Sequence, residues 1–353
     1  MRKMWENTFS KFAKKTIFYI LITSLIIIIL TPLYFLVSLS FLSSREAYQF
    51  PLPLVPAISS EFKLEKGDKG YMLSIYEKKD REYQTMIDTR DMEKMSRYMK
   101  LQLSVDVSVE KLENYISKLD QQNEVYFKSY KGLLHNYKTF FAITRDAFPA
   151  LIRSLQVAGL TILISLSIGG MAGYAFARYI FVGKNALKVS VLFVRVFPAV
   201  AIAMPMVIIL AAIGFYDKPI GLSLVYSVGT IALTIWVTAS IFLGIPVELE
   251  EAAQIFGATK LRTFITITIP LALPGLAACA MYAFIGAWNE TVSAIILTQF
   301  NPTFAVVVYQ SVLGATDQVN LAAAGGILMA LPMVLFTLFI RKYINQMWGG
   351  VTA

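Results

Sequence analysis

Six stretches of the chain run for about 20 residues or more almost without formal charge, and nothing else in the sequence limits its fold so strongly. They cover residues 16–42, 154–177, 189–216 (where Arg195 is the one interruption), 219–247, 263–289 with a continuation past Glu290, and 318–340. A helix needs about 20 apolar residues to cross the hydrocarbon core of a bilayer. No water is available there to satisfy loops or sheet edges, so each run predicts one spanning helix. Composition agrees, with 16% charged residues against about 25% in an average soluble domain and a mean hydropathy of +0.60. The charge is concentrated in one place. Residues 45–146 hold 17 of the 32 Lys and Arg residues and 16 of the 23 Asp and Glu residues, leaving 15 and 7 for all the rest. The reading is an all-α integral membrane protein of six transmembrane helices, with a polar insert between the first two.

Orientation follows from the basic residues. Arg2, Lys3, Lys11, Lys14 and Lys15 precede the first run as in a signal peptide. That run is 27 residues long, beyond a cleavable apolar core, and no clear A-x-A site follows, so it predicts an uncleaved anchor. With the N-terminus in the cytoplasm, alternation of the spans puts Arg178, Lys184, Lys188, Lys260, Arg262, Arg341 and Lys342 inside, and the C-terminus with them. The short outer loops keep only Asp217, Lys218 and Asp317, with Arg153 as the exception. Positive-inside topology in a cell membrane thus accounts for a pI near 9.4 without any nucleic-acid partner, and bilayer lipid is the expected surround. Cys279 is the only cysteine and His135 the only histidine. Neither a disulfide, a His/Cys metal cage nor a His-based triad is expected, and no catalytic residue or cofactor.

The divisions expected are residues 1–42 for the N-terminus and first span, 43–148 for an extracytoplasmic insert, 149–345 for a core of five spans, and 346–353 for a cytoplasmic tail. Within the insert, Phe62 and Leu64 alternate up to a turn at residues 66–70, and Tyr71, Leu73 and Ile75 alternate after it, predicting a short hairpin. Beyond Ser108, a candidate N-cap, Val109, Leu112, Ile116 and Leu119 recur at helical spacing, and Tyr126, Tyr130 and Leu133 extend that stripe. A small α+β module is predicted.

The most informative motif lies in the cytoplasmic connection 245–271 between the fourth and fifth spans. Pro246 suits a first helical position, Glu248, Glu250 and Glu251 complement the helix N-terminus, Ala252 and Ala253 keep one face low, and Gly257 suits a left-handed stop. A short helix lying at the membrane face is predicted. After it Leu261, Phe264, Ile265 and Ile269 form a second amphipathic stretch, and Pro270 and Pro274 redirect the chain into the fifth span.

Glu251, Ala252 and Ala253, followed at fixed spacing by Gly257, Ile267, Ile269 and Pro270, resemble the EAA loop of binding-protein-dependent ABC importer permeases, with Ile269 where Leu is usual. Further stretches are similar to the sugar permeases of the MalG kind: Asn136-Tyr137, Ser154-Leu155, the run from Tyr174 to Arg178 with Phe181 and Gly183, Phe197-Pro198, and the run from Gly286 to Glu290. The resemblance covers residues 136–343. It departs in the insert, which is longer than usual, and in the tail, which keeps its glycines but lacks a terminal basic residue.

What the resemblance implies is the ABC-importer permease fold and a permease subunit for a sugar, of oligosaccharide or maltodextrin type, with glycerol phosphate or another solute as the alternative. No G-x-x-x-x-G-K-[ST] loop occurs, so ATP hydrolysis falls to another subunit. The implied partners are two ATPase subunits, a second permease subunit and an extracytoplasmic solute-binding protein. Glu250, Glu251, Ala252, Ala253 and Gly257 are the expected ATPase-coupling residues. Arg195 and Glu290, ionisable groups in apolar surroundings, are pathway candidates, unless they pair with each other or cap a helix. Asn289 joins them as a candidate for solute contact. Gly169 and Gly173 are spaced for close helix approach, and Trp288 is expected as a core or interfacial aromatic. A secondary transporter would show repeated halves, and the sequence shows none.

Overall fold

The structure, a computed structural model, describes residues 2–77, 81–119, 121–144, 146–314 and 318–349, with side chains for all of these except 2–13, 143 and 345–349. Asp317, expected in an outer loop, and residues 350–353 of the tail lie outside the described residues. Two compact units emerge, Met1–Ile143 with Gly314–Ile327 and Thr144–Leu313 with Leu328–Ala353. Among the described residues, five helices are long and apolar enough to cross a membrane, and a bent helix pair makes a sixth if it is one span.

In the first unit, helix α1 (Arg2–Phe41) carries the first of these stretches, Lys14–Phe41, and its apolar side chains from Leu25 to Leu30 stand exposed. A short helix α2 (Ser44–Ala47) starts in a capping box, where Ser43 and Glu46 satisfy each other's end of the first turn. The expected hairpin is present as β1 (Ser59–Lys66) and β2 (Tyr71–Glu77), antiparallel with Lys66 opposite Tyr71. It belongs to a four-stranded antiparallel sheet of order β3-β2-β1-β4, with β3 at Glu82–Thr89 and β4 at Glu124–Tyr130. Helices α3 (Met92–Leu103) and α4 (Val109–Leu119) complete the module, α4 starting just after Ser108 as expected. Phe62, Leu64, Leu73, Met95, Met99 and Leu112 form its core.

One expectation fails here. Tyr126 and Tyr130 do not extend the α4 stripe, because residues 124–130 form a strand. Val125 and Phe127 alternate into the core at period two, while Tyr126 and Tyr130 stay 58% and 69% exposed. Helix α5 (His135–Ile143) closes the unit. Asn136 donates to the Ser40 and Leu42 carbonyls at 2.8 and 2.7 Å and accepts from Asn320 at 3.1 Å, tying down the backbone at the end of α1.

In the second unit, helix α6 (Ala147–Arg178) lies along α9 (Pro219–Leu243). Small and hydroxylated residues at steps of four make the contact, Ser165, Gly169 and Gly173 on α6 against Thr230, Thr234 and Thr238 on α9. A Cβ at Gly169 would come within 2.8 Å of Thr234, so the expected close approach is realised. The third run is not one straight span. Helices α7 (Lys184–Phe193) and α8 (Ala199–Ala212) are joined through a 3₁₀ turn at Val194–Val196 and bent by 91°. Proline forces its predecessor into extended backbone, and Phe197 (ψ 130°) and Pro198 (ψ 134°) break the helix there.

After α9 come helix α10 (Val247–Ile255), the four-residue helix α11 (Lys260–Thr263), and α12 (Ile269–Asn289), whose first turn is reached through a π-helical turn at Phe264–Thr268. Pro270 and Pro274 therefore do not redirect the chain, contrary to expectation. Lys260–Asn289 is one continuous helical span, and Pro270 falls in the first turn of α12, a position that tolerates a missing amide. The fifth run also stops at Asn289, and the chain resumes as helix α13 (Val292–Leu297). Helices α14 (Phe304–Gly314) and α15 (Val319–Gly349) follow, α15 beginning in the first unit and ending in the second. Trp288 is 1% exposed, stacks on Phe284 at 5.6 Å and donates to the Met329 carbonyl at 2.9 Å, so it is a core aromatic. The exceptional basic residue Arg153 has a local partner, the Pro302 carbonyl at 2.9 Å.

Candidate functional site: helix α10 and its anchor

Helix α10 is nine residues long. Pro246 stands at its N-cap, one residue before the position expected, with Glu248 and Glu250 in the first turn. At the other end Gly257 adopts φ +87°. Its amide donates to the Gln254 carbonyl at 2.9 Å and the Ala258 amide to that of Ala253 at 3.0 Å, the Schellman pattern that ends a helix in a left-handed residue. A Cβ at Gly257 would touch nothing within 4 Å. What restricts the position is backbone conformation, not space.

Two acidic neighbours have opposite fates. Glu251 and Ala252 are exposed and Ala253 is half-buried, whereas Glu250 is only 4% exposed. Its Oε1 accepts from Arg178 Nε at 3.0 Å, from Arg178 NH2 at 2.8 Å and from Thr268 Oγ1 at 2.9 Å, and its Oε2 accepts from the Tyr174 hydroxyl at 2.8 Å. Arg178 NH2 also donates to the Ile245 carbonyl at 3.0 Å. Burial on its own would raise the Glu250 carboxyl. The hydrogen bonds from Arg178, Tyr174 and Thr268, with the Arg178 charge, outweigh it and hold the group below the usual carboxylate range.

The anchor joins three segments. Tyr174 and Arg178 lie one turn apart at the end of α6, Thr268 ends the π-helical turn, and the Tyr174 ring packs between Phe242 and Phe264 at 5.5 and 4.6 Å. The opposite side of the loop is apolar and uncovered: Ile255, Phe256 and Leu261 are 83%, 91% and 68% exposed. A short helix thus stands fixed to the spans by a buried ion pair and presents a greasy tip outward.

The remaining candidates separate. Arg195 NH2 donates to the Tyr282 hydroxyl at 2.6 Å, with the guanidinium 5.5 Å from that ring's centre. Glu290 Oε1 accepts from the Ser293 amide at 2.9 Å, in the first turn of α13. The two do not pair with each other among the described ion pairs, yet both line one cavity of about 320 Å³. Asn289 is exposed and lies outside that cavity's lining.

Comparison with known proteins decides the family. Residues 142–348 match the model described as binding-protein-dependent transport system inner membrane component. The chain belongs to this family. The trehalose transport system permease protein SugB of Mycobacterium tuberculosis is 33% identical over 225 residues, 62% of this chain and 79% of that protein. The trehalose/maltose transport system permease protein MalG of Thermococcus litoralis is 31% identical over 229 residues, 64% of this chain and 81% of that protein. The fold is shared with a chain in the crystal structure of a bacterial ABC transporter involved in import of the acidic polysaccharide alginate, at a TM-score of 0.55 and 17% identity, over 93% of this chain and 95% of that one. The permease match starts at residue 142, so it includes α10 and its anchor and excludes the sheet module.

Sequence reading missed the anchor. Arg178 stood out as an inside charge and Tyr174 as part of a resembling stretch, and their four-residue spacing on one helix face was the available signal for a shared partner. Nothing local pointed to Glu250 rather than Glu251, since the partner is 72 residues away.

Proposed function

We propose that this permease is a membrane-spanning subunit of an ATP-driven sugar importer, carrying solute delivered by an extracytoplasmic binding protein, with hydrolysis performed by a separate ATPase subunit. Helix α10 carries the reading. Its buried end is locked to α6 and to the start of α12 through Glu250 and Arg178, while Ile255 and Phe256 face outward. A push on that tip moves the spans as a body, which is what coupling hydrolysis to alternating access requires. Glu250 is the positioning residue, Gly257 sets where the tip ends, and Glu251, Ala252 and Ala253 form the face offered to the ATPase. Sugar is the favoured solute class because the matched relatives are named for trehalose and maltose transport. Both termini lie in the cytoplasm, as the basic residues at the inner ends of the spans support.

The test is purification of the tagged chain from membranes. An ATP-hydrolysing subunit and a second permease subunit should copurify. A chain that purifies alone, from membranes in which it transports, would remove the reading.

A further inference from the structure

We propose that residues 48–58, which lead from α2 into β1, form a loop that dips into the lipid at the membrane face where α1 ends, and that the bilayer itself is the partner of its apolar side chains. The inference goes beyond the importer reading and needs only that α1 spans.

The segment joins the most charged part of the chain, yet residues 47–60 hold no Lys, Arg, Asp or Glu. Phe50, Leu54, Val55 and Ile58 are 94%, 57%, 74% and 66% exposed. Apolar residues exposed singly are ordinary, but four within nine positions of an otherwise polar module form a patch that calls for a partner.

Two hydrogen bonds fix the depth of this loop. The Leu54 carbonyl accepts from the Tyr34 hydroxyl at 2.6 Å and from Ser38 Oγ at 2.9 Å. Both donors stand on α1 before its last residue, Phe41, roughly 10 and 5 Å back from that end at 1.5 Å per residue. The chain therefore leaves α1 and turns back beside it, at a level where Leu33, Tyr34 and Val37 are exposed as well. The charge-free run 16–42 has 27 residues, a length of about 40 Å against a hydrocarbon core of about 30 Å. Centred in the bilayer, it puts Ser38 near the hydrocarbon boundary and Tyr34, of a type enriched at interfaces, just inside.

The loop is built for that depth. Backbone groups without water must be satisfied within the protein. Pro51, Pro53 and Pro56 have no amide to satisfy, and the Leu54 carbonyl has its two donors. Phe50 and Val55 also border a groove of about 700 Å³ that Glu61, Glu77 and Lys128 of the sheet line as well. From α1 across the loop to the sheet the surroundings thus change from charge-free to charged, as a bilayer changes from hydrocarbon to headgroups. A soluble binding protein cannot follow the loop below the end of a span. Lipid is favoured over a second membrane subunit because the loop continues the exposed apolar surface that α1 presents from Leu25 to Leu30.

The test places the complete transporter, with Cys279→Ala as background, in lipid nanodiscs, which leave both membrane faces open. A nitroxide is attached at Leu54→Cys and, in a second sample, at Val55→Cys. Its collision rate with oxygen, which concentrates in lipid, is compared with its collision rate with a water-soluble nickel chelate. At both positions the oxygen-to-nickel ratio should be at least about fivefold that of Glu113→Cys, an exposed position of the module, as expected for a segment roughly 5–10 Å into the headgroup and acyl boundary. A lower ratio at either position overturns the proposal. Shielding from both reagents also overturns it, since a protein partner would then cover the loop. The readout requires no transport, so failure of the importer reading and failure of this one are separate results.

Discussion

Replacing Glu250 by Ala should disable the permease while the same change at Glu251 should weaken ATPase attachment only mildly. Glu250→Ala removes the acceptor of two Arg178 N–H groups, the Tyr174 hydroxyl and the Thr268 hydroxyl. Arg178, whose side chain is 9% exposed, keeps only the Ile245 carbonyl. Breaking a buried pair from one side costs about 3–5 kcal/mol, because the partner is left charged and unpaired. Glu251 is exposed, so its replacement leaves no buried charge and gives up only the helix-dipole effect and a solvent-exposed contact to the ATPase, together on the order of 1 kcal/mol. The two variants should therefore differ by a factor of at least about 30 in how often α10 is undocked, taking 1.4 kcal/mol per tenfold. The assay is ATPase subunit retained on the purified complex, measured with thermal unfolding. A carboxyl held below its ordinary value of 4.5 stabilises the folded state above that value and loses its effect as pH falls through its own lower one. Wild-type stability should thus gain no pH dependence from Glu250 between about pH 5 and 8, and lose its contribution only below about 4.5. Equal ATPase retention in Glu250→Ala and Glu251→Ala would refute the anchor.

Gly257→Val forces a β-branched residue into φ +87°, at a cost of about 1–3 kcal/mol; the chain should still reach the membrane, with uptake and ATPase binding both reduced. Asp217, itself at φ +59°, accepts the amides of Gln299, Phe300 and Asn301 at 3.0–3.2 Å, so Asp217→Ala should raise amide exchange at those three positions about tenfold. The ends of the sheet module lie close enough for a short link, the Lys131 amide meeting the Ile58 carbonyl at 2.8 Å. A short Gly-Ser link in place of residues 59–130 should lower binding-protein-stimulated ATP hydrolysis and leave subunit assembly intact. In a Cys279→Ala background, a cysteine replacing the exposed Glu113 should react with an impermeant thiol reagent from outside and one replacing Lys260 should not; the reverse pattern would invert the topology.

Charge-free length made the spans legible, because the cost of burying charge in lipid acts on every residue of a span alike. It could not show the 91° bend at Pro198, since a broken span and a straight one exclude charge equally. In the insert, period two was legible where Phe62, Leu64, Leu73 and Ile75 flank a turn. It was misread at residues 124–130, where Tyr126 and Tyr130 mimic helical spacing but the buried pair is Val125 and Phe127. At the candidate site, the helix and its left-handed stop follow from local chemistry at Pro246 and Gly257. Its anchor does not, because the choice of Glu250 over Glu251 depends on where Arg178, 72 residues earlier, lies once the chain between them has folded. Arg195 and Glu290 were recognisable as costly charges, but their separate partners, the Tyr282 hydroxyl and the Ser293 amide, depend on how distant segments meet and on where α13 starts.

The central claim, that α10 receives the push of the ATPase, is tested most directly by photo-crosslinking from its tip. With Cys279→Ala as background, a benzophenone maleimide is attached at Ile255→Cys or Phe256→Cys, positions 83% and 91% exposed, and at Val182→Cys, fully exposed in the loop before α7, as the control. The account predicts an adduct with the ATPase subunit from 255 and 256, in higher yield than from 182 and changed by ATP. An active complex that gives no adduct from either tip position would contradict it.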